Sequence, residues 1–171
     1  MNKVFPTALA LLVAVVLQVA IAPQIALFGV VPNLVFLVVV TLALVEGPVA
    51  GSAAGFVGGL LFDLLVGTSV VGPWALVGTI AGYLAGLLAA NLFAESWLLP
   101  VSVVFVAGLG SEIAYGVIMA ILDAGTPFGT AFVRLMLPGA VYNTALAVLL
   151  YPVLARVLRQ DRQIKSFRRL A

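Results

Sequence analysis

Apolar residues in this chain do not alternate with polar ones at the spacing of an amphipathic helix or strand. They run nearly unbroken for a helix length at a time, and the interruptions are Pro, Gly and a few charges. A helix needs about 20 mostly apolar residues to cross the hydrocarbon of a bilayer, and Pro and Gly mark the turns between such helices. The pattern predicts six spans, at about 4–22, 32–45, 48–66, 74–90, 98–122 and 132–158, with a polar tail over 159–171. Pro23-Gln24 separates the first two, and part of 25–32 reads as irregular. The stretches "GTSVVGP" (67–73), "NLFAESW" (91–97) and "DAGTPFGT" (123–130) make the later turns. Pro138 and Pro152 fall inside the sixth span, where each removes one backbone hydrogen bond and bends the helix. No loop is long enough to fold alone, so the expected architecture is all-α: a compact bundle of six transmembrane helices.

Composition agrees. Of 171 residues, 64% are hydrophobic and 8% charged, against about 25% charged in a soluble domain. Met1-Asn2-Lys3 followed by an apolar run looks like a secretory leader, but the run continues to Ala22; that length reads as a span that is kept. With neither Cys nor His present, disulfides, thiolate or imidazole metal sites and Cys or His nucleophiles are excluded. No Ser within the spans has a His or Lys base near it, and no phosphate loop or cofactor fingerprint is present. An enzyme, a cofactor and a metal are therefore not expected.

Charge sets the orientation. Six of the eight basic residues lie at the C-terminal end, as Arg156, Arg159, Arg162, Lys165, Arg168 and Arg169; the others are Lys3 and Arg134. An even number of spans puts both termini on one side, and the excess of Lys and Arg makes that side the cytoplasm. Confined to one end and interleaved with Ile164, Phe167 and Leu170, these residues suit anionic lipid headgroups rather than nucleic acid. Glu46 and Glu95 read as solvated charges at the cytoplasmic ends of spans.

Small residues recur at helical spacing. Glycines stand at 47, 51, 55, 59 and 67, and the one position of that series without glycine holds Asp63. Four residues advance a helix by about 40° beyond a full turn, so these glycines form a slowly drifting stripe. Span four repeats the pattern at Gly78, Gly82 and Gly86, and span five at Gly108 and Gly116. In lipid, small residues let helix backbones approach closely. Spans three to five are thus expected to form a tightly packed centre. The stripes through Gly51, Gly55, Gly59, Gly82, Gly86 and Gly108 serve either that internal packing or the docking of a partner's helix. For docking, the candidate surfaces are the glycine face of span three near Asp63 and the outer face of span five.

Ionisable residues within spans are costly and face the protein interior or water. Asp63 and Arg134 are expected at similar depth with opposite sign, either paired or sharing a polar cluster with Glu112; Asp123 is a rival partner for Arg134. Asn143 can bond across helices. A proton or ion path, or a ligand pocket, is the functional alternative, but it needs a chain of polar groups through the membrane, and few are available.

The chain resembles the rod shape-determining protein family MreD of bacteria. The likeness covers nearly the whole length and is carried by "PNLVFLVVVTLAL" from Pro32, "GFVGGLLFDLLVGTSVVG" from Gly55 with Asp63 in the family's acidic position, "GYLAG" at Gly82, and "YNTALAVLLYPVLARVLR" near the end. Where that family often has an acidic residue after the early proline, this chain has Asn33. The resemblance implies a non-enzymatic subunit of the cell-elongation machinery in the cytoplasmic membrane. Such a subunit would bind MreC and help link MreB filaments to RodA and its class B penicillin-binding partner. The family's fold is similar to the substrate-binding subunits of energy-coupling-factor transporters, so a vitamin-binding subunit is the second hypothesis.

Overall fold

The computed structural model describes residues 4–66, 70–91, 98–122 and 128–167. Helix α1 (Val4–Ala20) leads through a short 3-10 turn (Ala22–Ile25) to α2 (Leu34–Glu46), α3 (Pro48–Leu65), α4 (Pro73–Asn91) and α5 (Leu98–Ile121). A last long rod is built from α6 (Phe128–Ala131), a π-helical segment (Phe132–Met136) and α7 (Leu137–Phe167) without a break between them. Among the described residues there are thus six helical rods and no strand. Pro48–Leu65, Pro100–Ile121 and Gly129–Leu158 are long and apolar enough to cross a membrane, while Thr7–Ala20, Leu34–Glu46 and Pro73–Ala89 are apolar but shorter.

Two boundaries differ from the sequence reading. The sixth rod begins at Phe128, inside the expected loop, and continues past 158 to Phe167, through most of the expected tail. The π segment has its cause in Pro138. A proline has no N–H to donate and its ring crowds the carbonyl four residues back, so the preceding turn widens: the Leu137 N–H bonds the Phe132 carbonyl, five residues away.

The centre is α2, rather than spans three to five. Its sequence LVFLVVVTLALVE buries ten residues, from Val35 to Ala43 and Val45, because α1, α3, α4, α5 and α7 all pack on it. A helix enclosed on every side needs apolar residues on every face, which is why this stretch shows no amphipathic period. α2 ends and α3 begins at one residue, Gly47. Its φ of +96° is a backbone state that side chains with a Cβ rarely adopt, and Pro48 opens α3 where no N–H is needed.

The glycine series resolves into a seam between α3 and α4, the most extensive helix pair. A Cβ built on Gly51 would strike the Gly82 carbonyl, one on Gly55 the Gly78 carbonyl, and one on Gly59 the Trp74 carbonyl; a Cβ on Gly86 would strike the Pro48 backbone. Backbone therefore lies on backbone along the seam. Gly58 faces the other way, toward Val35 and Val39 of α2 and Leu11 of α1. The glycine face of α3 is filled from within the chain, which removes it as a docking surface. Gly108 belongs to a looser contact: a Cβ there would meet Phe36 at 3.8 Å, an ordinary van der Waals distance.

Candidate functional site

Asp63 lies in the last turn of α3, only 1% exposed, and its carboxylate faces the start of α4. One oxygen, Oδ2, accepts hydrogen bonds from the backbone N–H groups of Gly72 (2.9 Å), Trp74 (3.1 Å) and Ala75 (3.3 Å). The first N–H groups of a helix have no partner of their own, and the helix dipole favours a negative charge there. Asp63 therefore caps α4 from the neighbouring helix, at the point where the glycine seam ends. The acidic residue in the stripe and the glycines serve one junction.

Around that cap stands an aromatic layer. The Trp74 ring stacks on Tyr115 of α5 at 4.7 Å and 21° and meets Phe62 of α3 at 5.4 Å. Tyr115 lies within electrostatic reach of both Asp63 and Glu112, and the Glu112 carboxylate faces Gly139 of α7, where a Cβ would stand 3.7 Å from Oε1. The structure thus brings Asp63 and Glu112 near Tyr115, where α3, α4, α5 and α7 come together. Arg134 is exposed on the π segment. Oδ2 of Asp63 is taken up by backbone capping because α4 begins directly over the aspartate. Asp123, Glu95, Arg168 and Arg169 lie outside the described residues; the backbones of Arg159, Arg162 and Lys165 continue α7, and Arg156 is exposed.

A second polar site was legible in part. At 13 residues, α2 rises only about 20 Å, short of the ~30 Å hydrocarbon thickness. One of its ends must therefore sit away from water, and neighbours must satisfy its free N–H groups. Asn143 of α7, 2% exposed, accepts from the Asn33 N–H through Oδ1 at 2.8 Å. Gln18 of α1 accepts from the Leu34 N–H at 2.7 Å and donates from Nε2 to the Pro32 carbonyl at 3.0 Å. The Asn33 side chain caps its own helix by accepting from the Phe36 N–H at 2.8 Å. Asn143 was expected to bond across helices. Gln18 was missed, although a lone amide in a 17-residue apolar helix is a signal that the rule on intramembrane polar groups would have caught. Tyr142 fixes the same region by donating to the Ile25 carbonyl at 2.6 Å.

Spaces around these sites are apolar. The gap between α2, α3 and α4 beside Asn33 and Trp74 measures about 10 Å³, room for one water. Larger cavities open on the surface: about 490 Å³ between the 27–30 hairpin and α7, and about 360 Å³ between α4 and α5. Among the described residues no group of three or more acidic side chains is placed to hold a metal ion.

Long apolar helices, a glycine seam and buried polar groups that tie helix ends together define a helical membrane protein. Its sequence matches the family described as rod shape-determining protein MreD over residues 1–160. The chain belongs to that family, whose role is rod-shape determination rather than catalysis. Comparison with curated proteins and with solved structures finds no match to either.

Proposed function

We propose that this chain is a membrane scaffold of the bacterial cell-elongation machinery. In this reading it spans the cytoplasmic membrane with both termini inside, binds MreC, and helps couple MreB filaments to RodA and its class B penicillin-binding partner. The observation that carries the proposal is membership of the MreD family across residues 1–160. The arrangement of the polar groups supports it: Asp63, Gln18, Asn33 and Asn143 all bond to backbone groups of the chain itself, at helix ends. The basic end, beginning with the exposed Arg156, holds the last helix at anionic headgroups.

A vitamin-binding subunit of an energy-coupling-factor transporter requires a pocket of roughly 300–1,000 Å³ with convergent polar groups. The interior gap holds only about 10 Å³, and the two surface cavities of sufficient volume are lined almost wholly by apolar side chains, which weighs against it. Purification of the full chain from its native membrane in mild detergent separates the two. Recovery of MreC and the wall synthases is the expected result. Recovery of an ATPase pair with its coupling subunit would overturn the scaffold reading.

A further inference from the structure

Helices α1 and α2 start from the same membrane face. No Asp, Glu, Lys or Arg stands between Lys3 and Glu46, and two such charges at helix ends belong at a headgroup surface. From there α1, with 17 residues, rises about 25 Å and α2, with 13 residues, about 20 Å. The hydrocarbon is about 30 Å thick. Both helices stop short of the far surface, and the irregular segment joining them, 21–33, lies in roughly the last 5–10 Å of the apolar layer.

The segment is built for that place. Leu27 and Val30 bond each other in both directions, at 3.0 and 2.9 Å, and the Gln24 N–H bonds the Ile21 carbonyl at 2.9 Å. Side chains close other backbone groups: Gln24 Nε2 donates to the Ala20 carbonyl, the Tyr142 hydroxyl to Ile25 and Gln18 Nε2 to Pro32. Irregular backbone at membrane depth requires such satisfaction. The exposed side chains of the segment include Ile21, Ile25, Leu27, Phe28 and Val31.

Phe28 identifies what covers them. It stands fully exposed at the hairpin tip with φ +53°, followed by Gly29 at +82°. These φ values match the two-residue turn that usually takes Asn-Gly or Asp-Gly, and a bulky residue adopts the first of them only at a cost. A turn facing water gains nothing from phenylalanine there, whereas a turn among acyl chains gains an apolar ring. The N–H groups of Phe28 and Gly29 find no partner among the described residues, which sets the tip where hydrocarbon gives way to the ester carbonyls of the lipid. Behind the hairpin, the cleft of about 490 Å³ has an α7 wall of Leu137, Pro138, Val141, Tyr142 and Ala145. Its one hydroxyl, that of Tyr142, is committed to Ile25. The wall has no pair of small residues four apart of the kind that seats another helix in lipid. An acyl chain needs neither.

We propose that the 27–30 hairpin is a lipid anchor immersed at the edge of the hydrocarbon, with Phe28 among the acyl chains and one phospholipid acyl chain lying in the cleft against α7. This rests on the chain spanning a bilayer and adds a lipid contact to the scaffold reading.

The chain has no cysteine, so single nitroxide labels report depth directly. The full chain carrying Phe28→Cys is labelled and placed in phosphatidylcholine–phosphatidylglycerol vesicles, beside Leu149→Cys as the hydrocarbon reference and Arg156→Cys as the headgroup reference. The ratio of collision rates with oxygen and with a water-soluble nickel chelate is measured for each. Expected is a ratio at Phe28 at least threefold above that at Arg156; a ratio no higher than at Arg156 would overturn the anchor. A low ratio at Leu149 as well would overturn the membrane-spanning reading itself. Should Phe28→Cys disturb the turn, Leu27→Cys and Val31→Cys report the same depth. For the cleft, a photoreactive benzoylphenylalanine at Val141 in the native membrane should give phospholipid adducts at least threefold above the yield at Leu149. Equal yields, or adducts to a protein, would overturn the cleft as an acyl-chain site.

Discussion

Two faces of α4 carry the same kind of neighbour and behave in opposite ways. Toward α3 it lays Gly78 and Gly82 on Gly55 and Gly51, with no room for a single added carbon. Toward α5 it offers Leu76, Ile80 and Leu84 across a gap from Gly110, where an added carbon touches nothing. Small residues at helical spacing mark both. The difference teaches that such a pattern reports an opportunity for close approach and does not say who approaches. On one face the partner is in the chain, supplied by the next helix after a short turn and locked by the Asp63 cap. On the other face none of the described residues comes within 4 Å of a Cβ at Gly110.

The largest expected effect is at the filled face. Gly55→Leu puts a side chain where even a Cβ strikes the Gly78 backbone, so α3 and α4 must part; the cost should exceed about 3 kcal/mol, seen as loss of a monodisperse, cooperatively melting protein. Asp63→Ala comes next. It strips two buried N–H groups and one partly buried one of the carboxylate they share and should cost roughly 3 kcal/mol, with Asp63→Asn recovering part of it; unchanged melting of the alanine variant would contradict the cap. Asn143→Leu removes the acceptor for the Asn33 N–H and should cost about 1–2 kcal/mol, detectable as faster amide exchange at the start of α2. Smallest is Gly108→Ala, where the new methyl meets Phe36 at 3.8 Å and helix propensity improves; a change within about 1 kcal/mol of wild type, on the stabilising side, is expected in chemical unfolding.

How much of this was legible beforehand varied with the kind of signal. Long apolar runs and their breaks located six helices, because crossing lipid constrains length and composition directly. The glycine stripe identified α3 and α4 as closely packed, since each glycine position is a steric statement. The partner of Asp63 was not legible. An acidic residue and a basic one at similar depth suggested a pair, but backbone N–H groups leave no mark in sequence, and Trp74 and Ala75 became the partners once α4 began over the aspartate. The central place of α2 was also hidden, because a helix apolar on all faces reads alike whether lipid or protein surrounds it. Gln18 and Asn33 carried a usable signal, two amides flanking the shortest of the six rods, whose meaning emerges only when that rod proves too short to span.

The most direct measurement compares Gly55→Leu and Gly110→Leu side by side, in the same detergent, by thermal melting followed by size-exclusion chromatography. Both changes add the same four carbons to a glycine in an apolar helix. A filled α3–α4 seam and an open α4–α5 groove predict that the first variant loses its folded, monodisperse form while the second melts within a few degrees of wild type. Equal loss in both, or tolerance of both, would contradict the account.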